Sequence, residues 1–452
     1  MNRKAFLKTS SIAFTGLMIA PQFSCTQEKK ETGLLSQNNR TNWAKNYTYK
    51  AKELFEPKNP EEVSSLIKDL EGSKALGSKH CFNDIADDPV AQISTHHLNK
   101  VIAIDPEKMT ITVEAGARYG DFSKELYEKG FALHNLASLP HITVAGACAT
   151  ATHGSGVKNG NLATGVMALE LIKPDGEIVS MDRSHPDFNA VVVGLGAFGI
   201  ITKMTLAIQP AFDVQQDVFL DLPLESVRNN FNEIMSSGYS VSLFTNWMND
   251  NVSEVWVKRR TDEEVKDLGS EFYGAKAAEI NVHPILELDA QNCTEQLGVP
   301  GPWYDRLPHF KMGFLPSAGE ELQAEFFVPR EKAVDAIMEI EKLKDEIYPL
   351  LMITEIRTIC GDEFWMSPCY QQDSVAIHFT WKQMTPEVMA VLPKIEAAIA
   401  PFNGVPHWGK LFTISREKLM ERYPKFNDFV ALAKQYDPQG KFINDYLKWN
   451  IY

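Results

Sequence analysis

The chain is predicted to fold as an α+β protein with two large domains, and three observations set that expectation. Its 452 residues are too many for one ordinary hydrophobic core. Short β-type runs, Met109 to Glu114 among them, are mixed with a few amphipathic helical stretches. The glycine run Gly194-Leu195-Gly196-Ala197-Phe198-Gly199 matches a dinucleotide fingerprint, yet Ile200, Thr202, Met204, Leu206 and Ile208 then alternate up to Pro210. A fingerprint glycine loop has to open a helix; this one opens a strand, so a Rossmann NAD site is not expected.

Composition narrows the class. Hydrophobic residues at 44% and charged residues at 23% describe an ordinary globular protein. The 45 basic and 59 acidic side chains give a net charge of −14, which disfavours nucleic acid and anionic membrane surfaces as partners.

Residues 1–30 read as an export signal: a basic start at Asn2-Arg3-Lys4, then an apolar stretch from Ile12 to Ala20 too short to span a bilayer. Asn2 to Lys8 also resembles a twin-arginine signal with lysine in place of the second arginine, a route suited to a protein that takes up a cofactor before export. An ordinary secretory signal fits equally well. Ser24-Cys25 is an alternative lipoprotein processing site that would leave a lipid anchor at Cys25, although Gln22 and Phe23 depart from that pattern. The expected destination is the periplasm or cell envelope, and no transmembrane span is expected.

Gln27 to Asn42 is polar, and residues 31–47 are assigned to a flexible leader. Asn59-Pro60-Glu61-Glu62 supplies a cap, a first-turn proline and a capping-box glutamate ahead of Val63, Leu66, Ile67 and Leu70 at helical spacing. Met109 to Glu114 alternates as a strand, Gly116 and Gly120 turn the chain, and Phe122 to Lys129 forms a helix closed by Gly130. Met167 to Ile172 and Glu177 to Ser180 flank Pro174-Asp175-Gly176 as a hairpin-like pair. The first domain is thus assigned to residues 48–211. A second domain, residues 212–405, carries helices at Glu225 to Ser236 and Glu331 to Lys344. Its strands are expected at Val241 to Trp247, Val252 to Val257, Leu322 to Val328, Met352 to Ile359 and Val375 to Trp381. Residues 406–452 form a C-terminal segment. Beyond Cys25 there are five cysteines at irregular spacing, which implies free thiols; a Cys360–Cys369 bridge is the one alternative. His96 and His97 are adjacent and would diverge on a strand, so no metal site is expected.

The chemistry begins at His80. Ala75-Leu76 reads as a strand ending in the tight turn Gly77-Ser78, where glycine allows close approach to a ligand. A loop histidine is by itself more often a hydrogen-bonded surface residue. Placed against an electron-poor isoalloxazine methyl, however, its imidazole is a candidate covalent link to flavin. Two further runs, Ser138 to Gly156 and Gly194 to Thr202, follow in order. Together the three runs resemble the flavin-binding domain of the vanillyl-alcohol oxidase superfamily, and more narrowly its sugar-alcohol and aldonolactone oxidases. That resemblance implies a two-part FAD-binding domain, a mixed sheet-and-helix substrate domain laid over the flavin, and a C-terminal segment that returns to the FAD-binding domain.

In Thr354-Glu355-Ile356-Arg357 an acid and a guanidinium share one strand face, and Ile377-His378-Phe379-Thr380 repeats the pattern. If those strands are neighbours, four polar groups share a surface able to replace water around a polyol. Gln323 and Lys410 lie in Leu322-Gln323-Ala324-Glu325 and His407-Trp408-Gly409-Lys410. These segments resemble alditol oxidases. The resemblance implies substrate contacts from Ser138, Gln323 and Thr380, catalysis by Glu355, Arg357, His378 and Lys410, and a base that is either His378 or Lys410. It implies FAD joined through His80 and cradled by Gly77, Ser78, Lys79, Cys81, Ser138, His141, Gly146, Ala147, Thr150, His153, Gly154, Gly199 and Ile201. Cys81 departs from the serine common in the family. Leu139 stands where doubly linked relatives carry a cysteine, which implies a single covalent bond. The implied reaction is oxidation of a terminal CH–OH of an alditol to an aldose, with oxygen reduced to hydrogen peroxide. An aldonolactone oxidase or dehydrogenase is the nearest alternative, with oxygen reactivity set near Ala137. A non-catalytic envelope protein that binds flavin or carbohydrate is the other.

Overall fold

A computed structural model describes residues 40–263, 267–313 and 320–452; the export signal assigned to residues 1–30 lies outside them. Three short parallel strands, β1 (Glu53–Phe55), β2 (Lys74–Leu76) and β3 (Ala91–Ser94), pair in the order β1-β3-β2. Helix α1 (Pro60–Asp69) starts where the cap predicts: Asn59 accepts from the Glu62 backbone N–H at 2.9 Å. The Glu62 carboxylate accepts the Lys58 N–H at 2.8 Å. Val63 and Ile67 bury its apolar face against Ile93, Leu98, Ile172, Ile200 and Phe442.

The other half of this domain comprises β4 (Val101–Asp105), β5 (Thr110–Glu114), β6 (Phe131–Ala132), β7 (Val166–Ile172), β8 (Ile178–Asp182), β9 (Ile200–Ala207) and β10 (Gln209–Pro210). Five of them form an antiparallel sheet in the order β4-β5-β9-β7-β8, and β6 pairs with β10. The glycine run leads into β9, as the alternation predicts. Gly199 sits at φ +153, and a Cβ there would strike Ile172 O, so only glycine lets the strand pass. Helices α2 (Tyr119–Glu128) and α3 (Val144–Ala149) cover this sheet's end. Gly120 is helical rather than a turn, because α2 begins one residue before it.

Residues 213–406, expected to form a second domain, hold one antiparallel sheet of ten strands: β11 (Asp213–Pro223), β12 (Ser240–Thr245), β13 (Asn251–Arg260), β14 (Glu271–Phe272), β15 (Ala275–Ala277), β16 (Gly301–Pro302), β17 (Glu321–Pro329), β18 (Leu351–Ile359), β19 (Ser374–Lys382) and β20 (Val405–Pro406). The order is β14-β15-β11-β13-β12-β18-β19-β17-β20, with β16 on β11. Register aligns Glu254, Phe244, Glu355, His378 and Glu325 in one row across five strands. Because strand side chains alternate, this row defines a polar face. The opposite face carries Val241, Leu243, Val255, Val257, Ile356 and Ile377, in one core with residues of the helices Leu224–Met235, Ala333–Glu341 and Thr385–Ile399. On the polar side, residues 278–310 fold back over Val218, Phe244 and Trp256.

Several expectations are corrected. Residues 40–47, assigned to the leader for their polarity, pack on the first domain. Asn42 is buried and donates to Cys81 O at 2.9 Å, and Trp43 N donates to Lys79 O at 2.8 Å. Their side chains replace the apolar burial that composition did not supply. The helix expected from Glu331 to Lys344 is broken into a turn at Arg330–Lys332 and the helices Ala333–Glu341 and Lys344–Ile347. His96 and His97 lie beyond β3 on a turn, so their rings meet 5.0 Å apart rather than diverging. Cys360 and Cys369 are free thiols. In the C-terminal segment, Asn444 donates to the backbone of Asp84, Ile85 and Asp87, and Lys441 donates to Ile67 O and Pro174 O. The last helix is thereby anchored to the first domain.

Candidate active site

A cavity of about 540 Å³ runs from the glycine loops of the first domain to the polar face of the large sheet. Its first end is backbone. The N–H groups of Ser78, Lys79, His80 and Cys81 donate to no acceptor among the described residues. Lys79 adopts φ +65, so successive amides curve into an anion-binding concavity. Gly77 permits this turn, since a Cβ there would strike Thr143 Oγ1, and Ser78 Oγ accepts from the Thr143 N–H at 3.2 Å. A row of unpaired amides is the donor set a diphosphate needs, and the apolar walls at Ala137, Leu139, Ile142 and Ile201 suit a planar ring. The residues present therefore fit FAD.

His80 lines this cavity and stacks on Trp43, with ring centroids 4.9 Å apart at 29°. Burial, followed by His141, pulls its pKa down to about 4, so the imidazole is neutral and keeps a lone pair at physiological pH.

The other end of the cavity is built around Glu325, whose carboxylate is fully buried. Its Oε1 accepts from Arg357 Nη2 at 2.6 Å and lies 3.2 Å from His153 Nε2; its Oε2 accepts from Lys410 Nζ at 2.7 Å. Burial opposes the charge, but Lys410 and Arg357 hold this carboxyl well below the usual range. Arg357 also donates to Ser138 Oγ at 3.3 Å, tying the sheet to the first domain. Glu355 accepts from His309 Nε2 at 2.7 Å. Arg357 and then His309 outweigh burial and keep it ionised. His378 stands between Glu355 and Glu325 in the register, with Nδ1 buried and without a partner among the described residues. Burial, reinforced by the Lys410 charge, lowers its pKa well below the usual histidine range, so it too is neutral. Lys410 is lowered by burial as well, yet it remains ion-paired.

Most residues singled out from sequence line this one cavity: Gly77, Ser78, Lys79, His80, Cys81, Ser138, Gly146, Ala147, Thr150, His153, Gly199 and Ile201 at the cofactor end, and Gln323, Glu355, Arg357, His378, Thr380 and Lys410 at the polar end. Two expected cofactor contacts do not line it. His141 bonds Met312 O at 2.6 Å, and Gly154 packs against Asn135 and Leu136 O. Sequence reasoning passed over Glu325, although it shares a strand face with Gln323 at the i+2 spacing that singled out Arg357. It also missed Trp43, Lys258 and His309, which reach the site only through tertiary packing.

Two families match the chain. The FAD binding domain family covers residues 51–182, and the D-arabinono-1,4-lactone oxidase family covers residues 320–450. Alditol oxidase from Streptomyces sp. is 43% identical over 412 residues, spanning 90% of this chain and 98% of that protein. L-gulonolactone oxidase from Mus musculus is 28% identical over 440 residues, spanning 91% and 98%. Among solved structures, cholesterol oxidase from B. sterolicum superimposes with a TM-score of 0.72 at 15% identity, over 91% of this chain and 96% of that one. That likeness shows the fold alone, an FAD-linked oxidase fold.

Proposed function

Because this chain belongs to the alditol oxidase family of FAD-dependent oxidoreductases, we propose that it oxidises the terminal CH–OH of an alditol of the xylitol or sorbitol type to an aldose. Oxygen is the electron acceptor and hydrogen peroxide the second product. Bound FAD supplies the hydride acceptor. The observation that carries the chemistry is His378, a neutral imidazole that lines the cavity in register with Glu355 and Glu325 and whose ring nitrogens bond no group among the described residues. A neutral imidazole there takes the hydroxyl proton as the carbon loses hydride. Lys410 does not serve as the base, because its ammonium is committed to Glu325 at 2.7 Å. Its charge and that of Arg357 instead stabilise the developing alkoxide. Glu355, Gln323, Thr380 and Ser138 accept from and donate to the remaining hydroxyls. Purified protein is expected to release peroxide with xylitol or sorbitol and to do so far more slowly with galactono- or gulonolactone. The reverse preference would make it an aldonolactone oxidase, and flavin bleaching without peroxide would make it a dehydrogenase. Absence of bleaching with any polyol or lactone would make it a binding protein.

We further propose that the flavin is covalently held through His80 alone. The neutral ring, stacked on Trp43, would supply the bonding nitrogen; the flavin methyl would give up a C–H and the imidazole its N–H, with the two electrons passing through the flavin to oxygen. Leu139 on the cavity wall offers no second nucleophile. The yellow colour should stay with acid-precipitated polypeptide, and His80→Ala should release it to the supernatant. Colour released from the unaltered protein would end the covalent assignment.

Export to the periplasm or envelope is proposed from the amino-terminal residues. No helix among the described residues is long and apolar enough to cross a membrane. Cell fractionation of full-length protein against a variant lacking residues 1–30 tests it, and radiolabelled fatty acid tests the anchor at Cys25.

A further inference from the structure

The segment 293–310 places a histidine and a backbone turn over β13, where a lysine is buried with no carboxylate to pair with among the described residues. Lys258 is 1% exposed, and its Nζ lies 2.6 Å from Leu307 O, 3.1 Å from Pro308 O and 3.0 Å from His309 Nδ1. An ammonium has three donors and no acceptor, so these three contacts exhaust it. The two carbonyls can only accept. His309 Nδ1 must therefore accept too, which leaves its proton on Nε2, 2.7 Å from Glu355 Oε1. The alternative tautomer would turn a nitrogen lone pair towards a carboxylate. The ring is fixed edge-on against Trp256 at 5.1 Å and Phe244 at 5.5 Å. Its backbone N–H donates to Ser138 O, and Thr294 N–H donates to its carbonyl. Among the described residues no donor bonds the second Glu355 oxygen.

We propose that Lys258 and His309 are positioning residues that act in series: the ammonium fixes the imidazole as the Nε2–H tautomer, and the imidazole fixes Glu355 with one oxygen taken and the other free for a substrate hydroxyl. The role in substrate binding rests on the polyol oxidation proposed above; the tautomer does not. Neither residue touches the reacting atoms. Cys293 and Arg306, with Glu355, are the other titratable or charged groups acting on Lys258, and burial draws its pKa down to about 7. Measurements therefore belong at pH 6, where the ammonium is held.

Two readouts test this on the holoenzyme. In long-range spectra of protein labelled with 15N-histidine, the signal lost in His309→Gln identifies His309. It should be a neutral ring protonated at Nε2, and Lys258→Met should shift it. A ring protonated at Nδ1, or at both nitrogens, overturns the proposal. In anaerobic flavin reduction by xylitol, His309→Phe should raise the half-saturating concentration about tenfold to a hundredfold, the worth of one hydrogen bond to a charged group. His309→Gln, which keeps a donor near the Nε2 position, should recover most of the loss. Equal losses in His309→Phe and His309→Gln would mean that the donor to Glu355 does not carry the effect, and the proposal would fail. If the unaltered protein reduces no flavin with xylitol, the substrate assignment and the role in substrate binding fall together, while the imidazole signature still decides the tautomer.

Discussion

His378→Ala is expected to slow flavin reduction by a polyol about a hundredfold to ten-thousandfold, the range lost when a positioned general base is removed, with FAD content unchanged. The ring lines the cavity, and its nitrogens bond no group among the described residues. It lies in the row of the sheet that carries Glu355 and Glu325, away from the unpaired amides of the His80 loop. Stopped-flow reduction under anaerobic conditions isolates the step. A change of less than about tenfold would remove His378 as the base. The pH profile supplies an independent check, with a defined sign. Burial and the neighbouring Lys410 charge push the histidine below its ordinary value, so the active neutral form persists as pH falls past about 6.5. The acidic limb of the reduction rate should lie below that point. Lys410 is also lowered, so the alkaline limb, where its ammonium is lost, should begin below about 10.4. An acidic limb at or above an ordinary histidine value would contradict the buried, uncharged ring.

Glu325→Gln is expected to destabilise the fold by about 3 to 5 kcal/mol, because it takes from buried Lys410 its one salt-bridge partner among the described residues and leaves Arg357 only the longer carboxylate contact, to Glu355 at 3.6 Å. Arg357 and Lys410 both donate to this one carboxylate, which has no exposed surface. An exposed control, Glu331→Gln, should change stability by less than about 0.5 kcal/mol. Urea unfolding measured on both variants decides; equal midpoints would mean that the cations find other partners. Linkage fixes the pH window. The folded carboxyl is held well below its ordinary value, chiefly by Lys410 and Arg357 acting against burial. Its contribution is therefore complete above the unfolded value of about 4.3 and is lost as pH falls through and below it. The gap between the unaltered protein and Glu325→Gln should narrow in acid.

Much of this architecture could be read from local sequence. Asn59-Pro60-Glu61-Glu62 set the start of α1, since capping is settled within four residues. Alternation after Gly199 identified β9 and removed the dinucleotide helix. The i, i+2 spacing of Glu355 with Arg357, and of His378 with Thr380, placed each pair on a common face before any partner strand was known. The resemblance to flavin oxidases rested on whole runs of residues, and the matching families and relatives agree with it.

What local sequence cannot contain is which distant groups share a charge. Glu325 looked like an ordinary acidic residue on a strand until pairing of β17 with β19 and the return of the 407–410 loop brought Arg357 and Lys410 onto it. Polar residues 40–47 resembled a leader because their partners, Cys81 O and the His80 ring, lie some forty residues away. Lys258 and His309 are separated by 51 positions and meet only through the fold of the covering segment. The sequence by itself determined the strands, their faces and the flavin-type loops, because dihedral preference and side-chain alternation act between near neighbours. Only the tertiary structure decided which buried charges balance and which nitrogen is left free, because electrostatic pairing depends on distance in space.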